Sequence, residues 1–194
     1  MNVDSVDPGL RDALQQITNN CSGPNVRAHV DEVEHLKRRF RHTVQVVEVV
    51  QDARPGPGQF TCFMHALDLS SPPLLMTRIM ERFDLIYPGA EFIGFLISQG
   101  RLQETSEPEN GDIALYFDDD VPKHAGKIRD EVIVSKWGLG HVWQHAPLEV
   151  PSSYGSVVRT FKRVESSASA GWFVEYATGL LRKSFCLARQ VKGQ

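Results

Sequence analysis

Cys62 is the residue of this 194-residue chain whose position is best suited to chemistry. It follows a run of Pro, Gly and polar residues and opens the helix-like end of the stretch GQFTCFMHALDL, residues 58–69. If a helix begins at Cys62 with Thr61 as its N-cap, the thiol lies at the positive end of the helix dipole, where the thiolate is favoured. The unpaired N–H groups of that first turn can also receive a developing oxyanion. Cys62 is therefore a candidate nucleophile, and the alternative is a buried, unreactive thiol on a core helix.

A cysteine nucleophile needs a base, and His124 is the candidate for that role. His124, Gly126 and Ile128 alternate with Ala125 and Lys127, which predicts a strand with the histidine on the same face as the glycine. A histidine on an inward strand face, with a glycine two residues later, is typical of a packed site. The alternative is a core histidine whose hydrogen bonds are satisfied.

Three other polar segments are weaker candidates for a functional site. Cys62-x-x-His65 could form half of a metal site, but no second pair with zinc-like spacing accompanies it, so no metal site is predicted. The run 118–120 is three adjacent aspartates, which point to alternate sides of an extended chain, so a solvated hairpin tip is predicted there. The segment 56–58 (Gly-Pro-Gly) lacks the lysine and spacing of a phosphate loop. No cofactor is predicted.

The elements that position these residues change along the chain. The first half has helical spacing, with Leu10, Leu14 and Ile17 on one helix and similar patterns in further helices before residue 100. From residue 113 the apolar period becomes two, with a turn at 130–131 and a further strand at 155–163. A final helix is predicted after residue 170. Helices followed by an antiparallel meander predict an α+β fold.

The composition limits the class of protein. Hydrophobic residues make up 41% of the chain, charged residues 23%, and the net charge is −3, so nucleic acid is not an expected partner. No stretch approaches the ~18 to 20 apolar residues of a transmembrane helix, so a membrane is not an expected partner either. The first residues lack a signal-peptide layout, so a cytoplasmic location is expected, with a dedicated secretion route left open. The three cysteines are too few for a disulfide framework, and Cys21 and Cys186 are predicted to be structural.

The order of these pieces resembles the papain-like amidase group, which includes the NlpC-type cell-wall peptidases and the CHAP amidohydrolases. The similarity is carried by a cysteine opening a helix, F-x-x-F-L-I-S-Q-G, then GDIALYF, then HAG on the next strand, over roughly residues 58–137. The resemblance implies that the Cys62 helix packs on a sheet whose strand carries His124. It also implies a papain-like core over 56–194, with 1–55 an integrated helical and strand extension of one 1–194 domain.

The resemblance implies a third residue that orients the base, about a dozen positions after it. That position falls at Ser135 or Lys136, and neither is the His, Asn or Gln usual in these families. Ser135 is the predicted third residue, and His141, Gln144 and His145 are alternatives from the next segment. The main-chain N–H of Cys62, with the side chain of Gln59, is expected to hold the oxyanion.

The segment 135–155, SKWGLGHVWQHAPLEVPSSYG, combines aromatics, glycines and histidines and predicts a rigid, shaped loop. One interpretation makes it a wall of a substrate cleft, with Trp137, Trp143 and His145 as binding surface. The other makes it irregular backbone packed on the sheet.

These patterns lead to one functional hypothesis and one rival. The hypothesis is a cysteine hydrolase that cleaves an amide or peptide bond through a thioester, and the resemblance implies a peptide, protein or peptidoglycan-like substrate. Deamidation and acyl transfer use the same residues and stay open, as does the oligomeric state. The rival is a non-catalytic binding module that keeps the papain-like fold.

Overall fold

The computed structural model describes residues 6–19, 24–51, 53, 60–69, 81, 83 and 86–191. Helices make up most of the first half, one edge strand of the sheet lies between the second and third helices, and the other five strands follow residue 112. A long helix closes the described chain, and the whole is the α+β fold that the sequence predicts. The helices are α1 (Pro8–Asn19), α2 (His29–Leu36), α3 (Cys62–Ala66), α4 (Ala90–Ser98) and α5 (Ser166–Val191), with 3₁₀ turns at Pro24–Ala28 and Ser152–Tyr154. No helix in these described ranges is long and apolar enough to cross a bilayer.

The sheet is antiparallel throughout, with the order β1-β5-β4-β3-β2-β6. Its central strand pairs are consecutive in the chain, as expected for a meander joined by short turns. The strands are β1 (Gln45–Glu48), β2 (Ile113–Asp118), β3 (Val121–Arg129), β4 (Val132–Lys136), β5 (Val142–His145) and β6 (Val157–Phe161).

The turn between β3 and β4 fixes which side chains share a face. Asp130 and Glu131 both have positive φ, +49° and +68°, as in the two-residue turns that match the twist of a hairpin. The resulting register pairs Gly126 with Ser135. His124, Gly126 and Ile128 therefore lie on one face of β3, as the alternating pattern predicts, and the turn predicted at 130–131 is confirmed.

Apolar cores lie on both faces of the sheet. The α3 face of the sheet packs against α3, α4 and α5 and includes Leu115, Ala125 and Phe161. The α1 face packs against α1 and α2 and includes Tyr116, Ile133 and Trp137. The predicted stripe of α1 is confirmed, because Leu10, Leu14 and Ile17 are all buried on the α1 face.

Some predicted boundaries differ from the structure. The β-branched run 44–50 forms a shorter strand, Gln45–Glu48, which lies at the sheet edge and pairs only with β5. The segment 135–155 is not only a shaped loop, because it contains β5 and the second 3₁₀ turn. Apolar periodicity missed β5 because both faces of that strand are covered, which removes the alternation. The helix predicted around Leu75 and Ile79 lies outside the described residues.

Candidate functional site

Cys62 is the first residue of α3, as the sequence predicts. Thr61 caps the helix, since its hydroxyl oxygen accepts the main-chain N–H of Met64 at 3.2 Å, and the same hydroxyl donates to the carbonyl of Pro88. The cap fixes where the helix begins and therefore where the thiol lies. The Cys62 side chain is half-buried and packs against the core that contains Ala125.

The surroundings of the thiol shift the pKa of Cys62 in opposite directions. Burial raises the pKa of Cys62 to about 11, while the main-chain N–H groups of Ala125, Phe63 and Cys62 and the charge of Lys136 act in the lowering direction. The sequence predicted a favoured thiolate, and this prediction is wrong for the resting protein. The physical reason is that α3 has only five residues, so its short dipole does not offset the desolvation of the sulfur.

His124 lies on β3 directly opposite Tyr116 of β2. Its ring stacks on Tyr154, with centroids 4.1 Å apart, and lies 5.3 Å from the ring of Tyr116. Burial holds the pKa of His124 well below its ordinary value, so the imidazole is neutral at pH 7. Its Nε2 is buried and has no hydrogen-bond partner among the described residues.

Cys62 and His124 lie on opposite faces of β3. One of the main-chain N–H groups that lower the pKa of Cys62 belongs to Ala125, the residue that follows His124. The imidazole leaves the strand on the α1 face, between two tyrosines, and its unpartnered Nε2 does not bond the thiol. The structure therefore brings the thiol against the main chain beside His124, with the ring packed among aromatic side chains.

Ser135 has a different role from the one predicted. Its hydroxyl contacts Nε2 of His145 at 2.8 Å and accepts the indole N–H of Trp137 at 3.0 Å. Because Nδ1 of His145 faces the carbonyl of Ala146, which can only accept, Nδ1 carries the proton and Nε2 accepts from Ser135. The Ser135 hydroxyl is thus committed to a buried chain of hydrogen bonds that does not include His124.

The aromatic residues of 135–155 are core residues rather than surface. Trp137, Trp143 and His145 are buried, at 1%, 3% and 0% exposure, so the interpretation of these three as an exposed cleft wall is wrong. Trp137 stacks on Trp143 with centroids 5.2 Å apart and contacts His145 and Tyr154. The interpretation as backbone packed on the sheet agrees with this burial, because the apolar rings contribute more by leaving water than they would exposed.

The remaining candidates lie in other places. His141 accepts the main-chain N–H of Val50 at Nδ1 and contacts the carbonyl of Val26 through Nε2, so both ring nitrogens have structural partners. Gln144 pairs with Gln45 and Val134 in the sheet. Gln59 lies outside the described residues. His65 is three residues after Cys62, and burial lowers the pKa of its imidazole to about 4.

Two residues of the site were not predicted from the sequence. Lys136 ends an apolar strand and is buried, and Tyr154 covers the ring of His124. A lysine inside the run VIVSKW was a visible signal, because a charged residue in a two-sided buried strand needs a reason. Tyr154 follows a Pro-Ser-Ser segment, and nothing in its local pattern indicates a contact with a residue thirty positions earlier.

The class that these observations define is an α+β protein with a capped cysteine helix packed on an antiparallel sheet. No group of three His, Cys, Asp or Glu side chains suited to a metal ion occurs among the residues whose placement is described. No known family model matches the chain, and neither a curated protein nor a solved structure shows significant similarity to it.

Proposed function

We propose that this protein is a papain-like cysteine hydrolase that cleaves an amide or peptide bond, with Cys62 as nucleophile and His124 as base. The observation that carries the proposal is the position of Cys62: the thiol begins a capped helix and packs in the core beside Ala125. The main-chain N–H groups of Cys62, Phe63 and Ala125 act to lower its pKa. Such N–H groups are the donors that a tetrahedral oxyanion requires. Ala125 adjoins His124, whose Nε2 is unpartnered.

The protonation states define where a general-base mechanism would start. Burial raises the pKa of Cys62 and lowers that of His124, so both groups are neutral at pH 7. The His124 ring lies on the α1 face and the thiol on the α3 face, so the proposed reaction requires the imidazole to reach the α3 face. There it takes the thiol proton as the sulfur forms a bond to the substrate carbonyl carbon. The imidazolium then protonates the leaving nitrogen as the C–N bond breaks, and a thioester remains. Water, deprotonated by the imidazole, attacks the thioester and releases the acid and the free thiol.

The substrate class comes from the resemblance to the papain-like amidases. A peptide, protein or peptidoglycan-like amide is proposed, and the Cys62 N–H is the proposed main oxyanion donor, with Gln59 as its companion. Support for the papain-like organisation is the packing of α3 on the antiparallel sheet with the Cys62 end against β3. A third member that orients His124 is not assigned to Ser135, since that hydroxyl bonds His145 and Trp137.

A second candidate function, a non-catalytic binding module, is favoured by two observations. The thiol is protonated at neutral pH because its pKa is about 11, and the His124 ring is packed between Tyr116 and Tyr154 on the α1 face. Both features also describe an unreactive cysteine next to a core histidine. The two functions differ in whether the sulfur can be acylated.

Acylation of the thiol separates the two functions. We expect an activated ester such as p-nitrophenyl acetate to form a thioester on Cys62, detected by peptide mass spectrometry together with nitrophenol release. Cys62→Ala should abolish the adduct, and His124→Gln should slow its formation by about 10²–10⁴, the usual contribution of a general base. His65→Gln is the matched control, because His65 lies near the same thiol, and its rate should match the wild type.

Two outcomes would contradict the hydrolase. If nitrophenol release is the same in Cys62→Ala as in the wild type, another group performs the chemistry. If the wild-type protein stays folded and its thiol titrates with a small disulfide reagent but is never acylated, the binding module is the better description.

A further inference from the structure

Lys136 is a buried cation at the end of β4. Only 1% of it is exposed, which is rare for a lysine because removing an ammonium from water costs several kcal/mol unless the charge is stabilised. Its Nζ donates to the carbonyl of Gly140 at 2.6 Å and lies 4.7 Å from the centroid of the Phe60 ring. A carbonyl oxygen and the face of an aromatic ring both favour the charged form of the amine.

The register of the sheet places Lys136 beside the thiol. The β3–β4 ladder ends at the pair Gly126–Ser135, and Ala125 and Lys136 are the next residues of the two strands beyond that pair. Ala125, Cys62 and Phe60 pack in the same core. Phe60, whose ring covers the ammonium, precedes Cys62 by two residues. The strand end, the aromatic ring and the start of α3 therefore enclose one region that contains both a thiol and a cation.

Other titratable groups near the thiol differ from Lys136 in charge or in position. His65 on α3 and His124 on β3 are neutral at pH 7, because burial lowers the pKa of each. Lys127 on β3 forms an ion pair with Asp68, which follows the C-terminal end of α3. Lys136 is the cation whose contacts lie at the end of α3 where Cys62 begins the helix.

We infer that Lys136 is a positioning residue that holds a fixed positive charge beside Cys62 and stabilises the negative charge that develops on the sulfur during attack. The inference rests on the proposed function only in taking Cys62 to be the nucleophile. In a buried site a nearby charge acts with little screening, so a fixed ammonium stabilises a developing anion more there than at the surface. Because the resting thiol is neutral, a thiolate must form during the reaction. Without a nearby positive charge, that buried thiolate would have no ionic stabilisation.

The effect is measurable without a substrate. Alkylation by iodoacetamide requires the thiolate, which displaces iodide, so its rate between pH 8 and 9.5 reports the thiolate fraction of Cys62. Lys136 acts to lower the pKa of Cys62 against the larger effect of burial. We expect Lys136→Met to lower the Cys62 alkylation rate about tenfold, the effect of one pKa unit, and Lys136→Arg to restore most of it. Peptide mass spectrometry separates Cys62 from the other cysteines.

The control is Lys127→Met, which removes a nearby lysine paired with Asp68 and should leave the Cys62 rate unchanged. An unchanged rate in Lys136→Met, with a melting temperature like that of the wild type, would overturn the inference. Should Lys136→Met fail to fold, the comparison is between Lys136→Arg and Lys136→Gln, in which equal rates overturn it and a faster Arg variant supports it. A protein that hydrolyses nothing but shows the Lys136 dependence refutes the proposed function and leaves this inference standing.

Discussion

Tyr116 and Ser135 are two buried hydroxyls on the α1 face that differ in one respect. Both residues have 0% exposure. The Ser135 hydroxyl bonds His145 and Trp137, whereas the Tyr116 hydroxyl has no partner among the described residues. Burial also raises the pKa of Tyr116 well above its ordinary value, so the phenol stays protonated. Removing one oxygen from each should therefore change stability in opposite directions.

We expect Tyr116→Phe to raise the free energy of unfolding by about 1 kcal/mol, because it deletes an unpaired buried polar group. Ser135→Ala should lower it by about 2 kcal/mol, because it leaves the imidazole of His145 and the indole of Trp137 without their partner. Urea denaturation of both variants at neutral pH measures the two changes. A clear loss of stability in Tyr116→Phe would show that its hydroxyl has a partner, such as a bridging water to His124.

The 3₁₀ turn before β6 holds Tyr154 over His124. Substitutions at two glycines with positive φ, Gly155 and Gly138, test what this turn requires. Gly155 has φ +98° and ψ 163°, a region that is essentially restricted to glycine, and a Cβ there would lie 2.5 Å from the carbonyl oxygen of Phe117. Gly138 also has positive φ, +54°, but no atom lies within 4 Å of its Cβ position. Both positions therefore have an unfavourable positive φ, but only Gly138 has room for a Cβ.

Gly138→Ala should cost about 1 kcal/mol, the price of a left-handed conformation for alanine. Gly155→Ala should cost about 3 kcal/mol or more, because the main chain of Phe117 must move and Tyr154 must leave the His124 ring. The measurement is the urea midpoint of each variant, together with tyrosine fluorescence for the displaced ring. Equal losses at the two positions would mean that the turn relaxes without disturbing β2.

At the level of elements, the sequence predicted what local patterns control. The periodicity of α1, the turn at 130–131 and the common face of His124 and Gly126 follow from side-chain spacing and were correct. The position of Cys62 followed from the capping residue Thr61. What failed depends on contacts far along the chain: the pKa of Cys62 is set by burial against β3, and the partner of Ser135 comes from β5.

At the scale of the whole molecule, buried histidines dominate the response to acid. The pKa values of His42, His65, His124, His141 and His145 are all lowered, and in each case burial is the largest cause. An unfolded histidine titrates near 6.5, so the unfolded chain binds more protons than the native one as the pH falls below that value. The stability contributed by these neutral imidazoles is therefore complete above about pH 7 and is lost as the pH falls toward the native pKa values.

The carboxylates act in a lower pH window. The pKa of Asp112 lies below its ordinary value in spite of burial, because the main-chain N–H groups of Glu109 and Arg163 and the charge of Lys162 stabilise the anion. Its stabilising effect is lost only below about pH 4, where unfolded carboxyl groups also become protonated. Loss of stability between pH 6.5 and 5 is therefore assigned to the histidines.

His145 offers the cleanest test of this assignment, since it is fully buried and its pKa is lowered to about 4. A shift of this size corresponds to roughly 3 kcal/mol lost between pH 7 and pH 4, with a slope of up to about 1.4 kcal/mol per pH unit. His145→Gln, which keeps an acceptor for Ser135, should reduce the pH dependence of the unfolding free energy between pH 6.5 and 5 by about that slope. The exposed His35→Gln is the control and should leave the slope as it is in the wild type. Urea unfolding at several pH values gives both slopes, and identical slopes in His145→Gln and the wild type would show that His145 does not stay neutral in the native protein.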